Sequence, residues 1–184
     1  MKRPVAVAGV LLLVLVATGA PAPGATDRVI EIAGLLSGTF DGTTPGNVLR
    51  LDLRPVPTDP EHVNDLFLSV TGKYQGEIVR RQGLLRFERQ GVDVYLAYVP
   101  HFDATVTWTS PNVTEFTDEE QGASCGFNLV PRGDGFAGET SGATCAFALR
   151  GAAGKWSVEL EPGTIRLRSV ESGETLRFKR TAKH

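Results

Sequence analysis

The chain has 184 residues with 19 basic and 21 acidic side chains, so its formal net charge is −2 at pH 7. A mildly acidic chain with interspersed signs lacks the basic surface that nucleic-acid binding requires, and we expect no nucleic-acid partner. Low-complexity tracts, helical heptads and repeats of about 20–50 residues are absent from the sequence, which excludes disordered, coiled-coil and solenoid proteins.

The first 24 residues have the composition of a secretory signal peptide. Lys2 and Arg3 form a basic start, residues 5–17 are apolar and uncharged, and residues 18–25 are small and rich in proline. This order is typical of an export signal. The apolar run is shorter than the ~20 residues of a spanning helix, which disfavours the alternative of an uncleaved membrane anchor. We therefore predict a signal peptide at 1–24, export to the periplasm or the extracellular space, and no stable membrane span after cleavage.

Residues 25–184 would form the mature protein, with 17 basic and 21 acidic side chains and a formal charge of −4. A chain of about 160 residues is typical of one domain and can bury roughly 70% of its unfolded surface. We expect a single domain over this range.

The predicted elements of this domain are one helix followed by strands. Thr26 or Asp27 can cap a helix that runs to about Leu36 and stops at Gly38. Alternating apolar and polar residues then predict short strands separated by turns rich in glycine and proline. The predicted strands cover 48–54, 66–70, 78–89, 92–99 and 105–110, three strands within 125–150, and 156–160, 165–170 and 175–180.

Nine or ten short antiparallel strands with one apolar face close most economically into a small barrel. A two-sheet sandwich is the alternative. A barrel of this size either fills its interior with side chains or encloses one ligand.

The two cysteines of the protein, Cys125 and Cys145, occupy equivalent positions, each followed by Phe two residues later and Leu four residues later. In an exported protein two cysteines commonly form a disulfide. The first and third strands of a plain meander, however, lie about 9–10 Å apart, whereas a disulfide tolerates Cα separations up to about 7 Å. The sequence is compatible with a disulfide between the two cysteines and with two buried free thiols. A thiol nucleophile is a third hypothesis, which we favour less.

Several short runs of residues are shared with a known family. The strongest lie within 122–152: Cys125-Gly126, Asp-Gly-Phe-Ala-Gly-Glu-Thr at 134–140, Cys145, and Leu-Arg-Gly-Ala at 149–152. Weaker ones are Leu-Leu-Ser-Gly-Thr-Phe at 35–40 and Arg-Gln-Gly-Leu-Leu-Arg-Phe at 81–87. On these residues the chain resembles the CpcT/CpeT family of chromophore lyases. The resemblance implies a calycin-like (lipocalin-like) antiparallel β-barrel with one short N-terminal helix and, in phycobilisome-bearing organisms, attachment of bilins to phycobiliprotein cysteines.

The chain also departs from the family pattern. Gly83 stands where the family's Arg-Gln-Arg has its second Arg, and Arg80 replaces the preceding Tyr. The family's Tyr-Val-Glu-Gln reads Phe-Leu-Ser-Val at 67–70, and its Asp-Arg-Gly near the C-terminus reads Ser-Val-Glu-Ser-Gly at 169–173. These losses leave open whether the protein is an enzyme, and its catalytic residues are unknown. Export also argues against the family's catalytic activity, because bilin attachment to phycobiliproteins is cytoplasmic.

The candidate ligand-binding residues are Arg81, Gln82, Arg86, Tyr95 and Phe127. Alternation places position 81 on one strand face with 83, 85 and 87. If that face is inward, Arg81 needs an anionic partner, either a ligand carboxylate or an internal Glu; the alternative is a solvated strand face. Gln82 would help to orient the polar end of a ligand, and the aromatic residues would pack its body, although aromatics more often fill a barrel.

From these features we expect an exported barrel of the CpcT/CpeT type that binds a small amphipathic molecule, with a bilin or another tetrapyrrole as a candidate ligand and no further cofactor. The alternatives are a divergent chromophore lyase or chromophore-transfer chaperone with an acceptor protein, and a non-catalytic structural or interaction barrel. His62, His101 and His184 lack metal-ligand spacing, so we expect no metal site. Pairing into a homodimer remains open.

Overall fold

The computed structural model of the protein describes residues 25–56, 65–90, 93–101, 125–140 and 154–184. The predicted signal peptide at 1–24, the predicted strand at 105–110 and the predicted strand around Cys145 lie outside these residues. The pairing of Cys125 with Cys145 therefore stays a prediction.

The described residues form one helix and ten strands. The helix α1 covers Ala25–Leu36. The strands are β1 (Gly38–Thr44), β2 (Asn47–Pro55), β3 (Leu66–Tyr74), β4 (Glu77–Gln90), β5 (Asp93–His101), β6 (Cys125–Arg132), β7 (Gly135–Thr140), β8 (Trp156–Glu161), β9 (Thr164–Ser169) and β10 (Thr175–Ala182). They form a closed antiparallel barrel in the order β1-β10-β9-β8-β7-β6-β5-β4-β3-β2. The predicted calycin-like barrel with one N-terminal helix is confirmed, and the sandwich alternative is wrong.

The barrel closes because the first and last strands pair. Strands that follow each other among the described elements are hydrogen-bonded neighbours, and β1 pairs with β10 in a register that sets Gly42 opposite Phe178. Closure pairs each of these ten strands on both sides, which is the common solution for an all-antiparallel chain of this size. The strand next to β7 is β8, so the meander continues into Trp156–Glu161.

Strict alternation in the strands separates the core from solvent. In β2, Leu49, Leu51 and Leu53 are buried while Arg50 and Arg54 are exposed. This period of two is what the sequence predicted, and it holds because successive side chains of a strand point to opposite faces. The inward residues of the strands and one face of α1 contribute to the same hydrophobic core.

The helix packs at one end of the barrel, which we call the lower end. We call the opposite end the upper end; it contains the turns at 45–46 and 75–76 and the β9–β10 connection at 170–174. Val29, Ile32 and Leu36 insert into the core cluster from α1. Arg180 donates hydrogen bonds to the backbone oxygens of Gly34 and Leu35, and its guanidinium lies 5.0 Å from the centre of the Phe40 ring. These contacts join the C-terminal carbonyls of the helix to β10.

One predicted strand end is wrong. The sequence predicted a strand over 66–70, before the Thr-Gly pair at 71–72, but β3 continues to Tyr74. Gly72 stays in the strand with a φ of +138°, and a Cβ at this position would lie 2.1 Å from the backbone oxygen of Val48 on β2. Glycine here allows a close approach of two paired strands, and it does not end the strand.

Candidate functional site

The five predicted ligand-binding residues lie on opposite faces of the barrel wall, two on the inner face and three on the outer face. Arg81 and Phe127 belong to the inward-facing positions of β4 and β6, since Arg81 is paired with the core residue Val70 and Phe127 is itself in the core. Gln82, Arg86 and Tyr95 occupy the alternate positions of β4 and β5 and therefore face outward. The five residues do not meet in one site.

Arg81 lies in the upper half of β4 and is exposed, although its position belongs to the inward face. Its Nη1 donates to the backbone oxygen of Arg80 at 3.2 Å, and it forms no ion pair with a carboxylate of the described residues. An internal Glu was one of the two partners expected for an inward Arg81, and no such Glu pairs with it within this part of the chain. The Arg81 charge remains available to an anion from solution.

Tyr98 is the polar neighbour of Arg81 on the inward face. Its side chain is 3% exposed, and its hydroxyl donates to the backbone oxygen of Gln82 at 3.4 Å. Burial raises the pKa of Tyr98 to about 12, while the positive charge of Arg81 acts in the opposite direction. The phenol is thus protonated at neutral pH, and it belongs to the hydrophobic core, with the Arg81 charge near enough to act on its pKa.

Gln82 and Arg86 lie on the outer face in different surroundings. The Oε1 of Gln82 is buried and accepts no hydrogen bond from the described residues. Arg86 donates from Nε to Asp65 Oδ2 at 3.2 Å, and the backbone N–H of Phe87 donates to the other oxygen of Asp65 at 3.3 Å. Because the Asp65 side chain is only 3% exposed, Arg86 compensates a buried charge and has a structural role.

The two predicted aromatic residues also have structural contacts. Tyr95 lies against Gly126 of the neighbouring strand β6, where a Cβ would be 2.0 Å from the Tyr95 ring. Phe127 is 3% exposed and fills the interior. Tyr95 therefore covers a glycine on the outer wall, while Phe127 belongs to the core.

The interior encloses a cavity of about 40 Å³. Its lining surface is entirely apolar, and it is formed by Leu36, Leu51, Leu53, Leu68, Leu85, Leu96, Tyr98, Phe127, Val158, Leu160, Ile165 and Leu167. A water molecule occupies about 30 Å³ in the liquid, and sites for small molecules usually measure about 300–1,000 Å³. The part of the interior that the described residues line is therefore filled mainly by side chains, and this cavity has no room for a tetrapyrrole in this conformation.

A partly buried polar cluster joins three connections at the upper end. Glu174 accepts a hydrogen bond from the Tyr74 hydroxyl at 2.7 Å and from Asn47 Nδ2 at 3.0 Å. Asn47 Oδ1 in turn accepts from the backbone N–H of Gln75 at 2.7 Å. Burial and the Glu174 carboxylate both raise the pKa of Tyr74, so the phenol remains a donor. We call Asn47, Tyr74, Gln75 and Glu174 the upper cluster; sequence reasoning missed it because its members are far apart in the chain.

We expect Glu174→Ala to lower the free energy of unfolding by about 2–3 kcal/mol, because it leaves the buried Tyr74 hydroxyl without its acceptor. Urea denaturation followed by circular dichroism measures the change. Glu161→Ala is the matched control, since Glu161 is exposed at the lower end of β8, and it should change stability by less than about 0.5 kcal/mol. Equal effects of the two substitutions would show that the upper cluster contributes nothing.

Neither a metal centre nor a membrane-spanning helix is found among the residues that the structure describes. Within these ranges, no group of three or more His, Cys, Asp and Glu residues is arranged to hold a metal ion. The helix in this part of the chain is not long and apolar enough to cross a membrane.

Comparisons of the chain with protein-family models, with curated proteins and with solved structures found no match. The resemblance to the CpcT/CpeT family therefore stays a prediction based on short runs of residues. The barrel itself rests on the pairing of its ten strands.

Proposed function

We propose that this protein is an exported binding barrel for a small amphipathic molecule, with the ligand's anionic group on Arg81 at the upper end. The observation that carries the proposal is an exposed guanidinium at an inward-facing position, which forms no ion pair with a carboxylate of the described residues. The apolar cavity inside the barrel supplies an apolar surface on the same face of the wall. A cation beside an apolar surface recognises a carboxylate attached to an apolar body.

The size of the cavity limits how such a ligand binds. About 40 Å³ can accept only a short apolar group, so most of the ligand would lie outside the filled interior. A bilin or another tetrapyrrole would place a propionate on Arg81 and keep its rings at the upper end. Deep insertion of a tetrapyrrole would require the leucine side chains of the interior to repack.

The resemblance to CpcT/CpeT proteins supports a tetrapyrrole as the ligand class, and the signal-like sequence at 1–24 supports export. Chromophore transfer to an acceptor protein is the catalytic form of this proposal. It requires a nucleophile or an acid facing the ligand, and the described residues that line the cavity contain only the Tyr98 phenol as an ionisable group. Binding without catalysis is therefore the better supported form.

The test is titration of the purified protein with biliverdin and with haem, followed by visible absorption, and with decanoate, followed by tryptophan fluorescence. Arg81→Gln should weaken binding about tenfold or more, because it removes a charged hydrogen-bond donor. Arg80→Gln is the matched control, since Arg80 is also exposed on the same strand but faces outward, and it should change the affinity less than twofold. Equal losses in the two variants would contradict the proposed site.

A second function is favoured by the small cavity. A barrel whose interior is filled needs no ligand and can act as a structural or interaction domain through its outer surface. If none of the three probes changes the absorption or the fluorescence, this alternative replaces the first.

A further inference from the structure

A second polar site lies on the outer wall of the barrel, away from Arg81. It is a groove of about 360 Å³ across β8, β9 and β10, and we call it the outer groove. Its lining consists of Ser157, Glu159, Arg166, Arg168, Gly173 and Thr175. The volume falls within the range of small-molecule sites, in contrast to the cavity inside the barrel.

Strand register explains why these side chains meet. Arg168 on β9 is paired with Ser157 on β8 and with Thr175 on β10, and Arg166 is paired with Glu159. Alternation along the Ile-Arg-Leu-Arg sequence at 165–168 directs both arginines outward while the apolar residues enter the core. The groove therefore brings together polar side chains from three adjacent strands, and Gly173 of the β9–β10 connection borders it at the upper end.

The charges of the outer groove are not balanced. Glu159 is the one acid among the described residues that line it, and each of its oxygens is already bound by a different arginine: Oε1 accepts from Arg132 Nη1 at 2.9 Å, and Oε2 accepts from Arg166 Nη1. Arg166 is thereby held in place, and because this is the one hydrogen bond it forms with the described residues, its other N–H groups can donate to a ligand. Arg168 is exposed and forms no hydrogen bond or ion pair with the described residues.

We infer that the outer groove binds the oxyanion group of a small phosphorylated or sulfated molecule. Two guanidinium groups, one fixed by Glu159 and one without a carboxylate among the described residues, offer the paired donors that phosphate and sulfate oxygens accept. The Ser157 hydroxyl can add a neutral donor from β8. Since the groove has the volume of a site for a whole small molecule, we expect the rest of the ligand to lie along the strands as well.

The experiment measures binding of inorganic phosphate, inorganic sulfate and glucose 6-phosphate by isothermal titration calorimetry at low ionic strength. We expect glucose 6-phosphate to bind more tightly than inorganic phosphate, which would identify an organic ester as the ligand. The reverse order would identify the free anion, and stronger binding of sulfate than of phosphate would identify a sulfated ligand. Absence of binding by all three probes at about 10 mM, roughly the weak limit for a specific site, would overturn the inference.

Two variants separate a specific site from general attraction to positive charge. Arg168→Gln should weaken binding about tenfold or more, because it removes one of the two guanidinium groups from the groove. Lys179→Gln is the matched control: it removes the same charge from the outward face of β10 outside the groove, and it should change the affinity less than twofold. Both residues are exposed, so both variants should fold, which circular dichroism verifies. Equal losses in the two variants would overturn the site.

Discussion

Replacing Gly72 by alanine should destabilise the barrel by about 3 kcal/mol or more. Two costs combine at this position. The φ of +138° is unfavourable for a residue with a side chain, at about 1–2 kcal/mol, and the new methyl group would meet the Val48 backbone oxygen at 2.1 Å, at about 1–3 kcal/mol. Because this oxygen belongs to the paired strand β2, relief of the contact requires the two strands to separate.

Alanine substitutions at two other glycines measure the conformational cost and the steric cost separately. Gly76 has a φ of +88°, and a Cβ added there would have no atom within 4 Å, so Gly76→Ala should cost only the conformational part, about 1–2 kcal/mol. Gly34 lies on the exposed face of α1 with neither problem, and Gly34→Ala should stabilise the protein by about 0.5–1 kcal/mol. Urea denaturation of the three variants measures the order. A Gly72→Ala variant no less stable than Gly76→Ala would show that β2 and β3 are not in such close contact.

Replacing Phe178 by alanine should lower the free energy of unfolding by about 3–5 kcal/mol. Phe178 is 1% exposed on β10 and lies over Gly42 of β1, where a Cβ would be 2.6 Å from its ring. These two strands close the barrel, so the ring packs at the seam between the first and last strands. Its loss leaves a cavity there, because the neighbouring backbone cannot collapse into the space.

The control for this substitution is Ile78→Ala. Ile78 is 79% exposed on the outer face of β4, and its truncation should change stability by less than about 0.5 kcal/mol. Thermal and urea unfolding of both variants measure the difference. If Phe178→Ala cost less than about 1 kcal/mol, the seam between β1 and β10 would not be tightly packed.

The small cavity limits where this barrel can bind other molecules. With about 40 Å³ of free space in the cavity, the polar features that we propose as binding sites among the described residues are Arg81 in the upper half of β4 and the outer groove on β8, β9 and β10. Each site contains a guanidinium group, Arg81 in the first and Arg168 in the second, that forms no ion pair with the described residues. The two matched pairs of variants, at Arg81 and Arg80 and at Arg168 and Lys179, test them independently.

Local chemistry determined the strands, the helix and the barrel. The period of two in β2 follows from the direction of successive side chains, which depends only on residues next to each other in the chain. The end of α1 at Leu36 agrees with the stop predicted at Gly38, but its start at Ala25 precedes Thr26 and Asp27, so the predicted caps are wrong. Closure of many short antiparallel strands follows from the need to pair every edge.

Tertiary structure decided which polar residues have partners and whether the interior is hollow. Arg86 compensates the buried charge of Asp65, which lies 21 residues earlier, and Glu174 accepts a hydrogen bond from Tyr74 across 100 residues of sequence. Alternation placed Arg81 on one face with positions 83, 85 and 87, but the pairing with Val70 decided that this face is inward, and the guanidinium is nevertheless exposed. The free volume inside the barrel depends on how all inward side chains pack together. It therefore cannot be predicted from any single stretch of sequence.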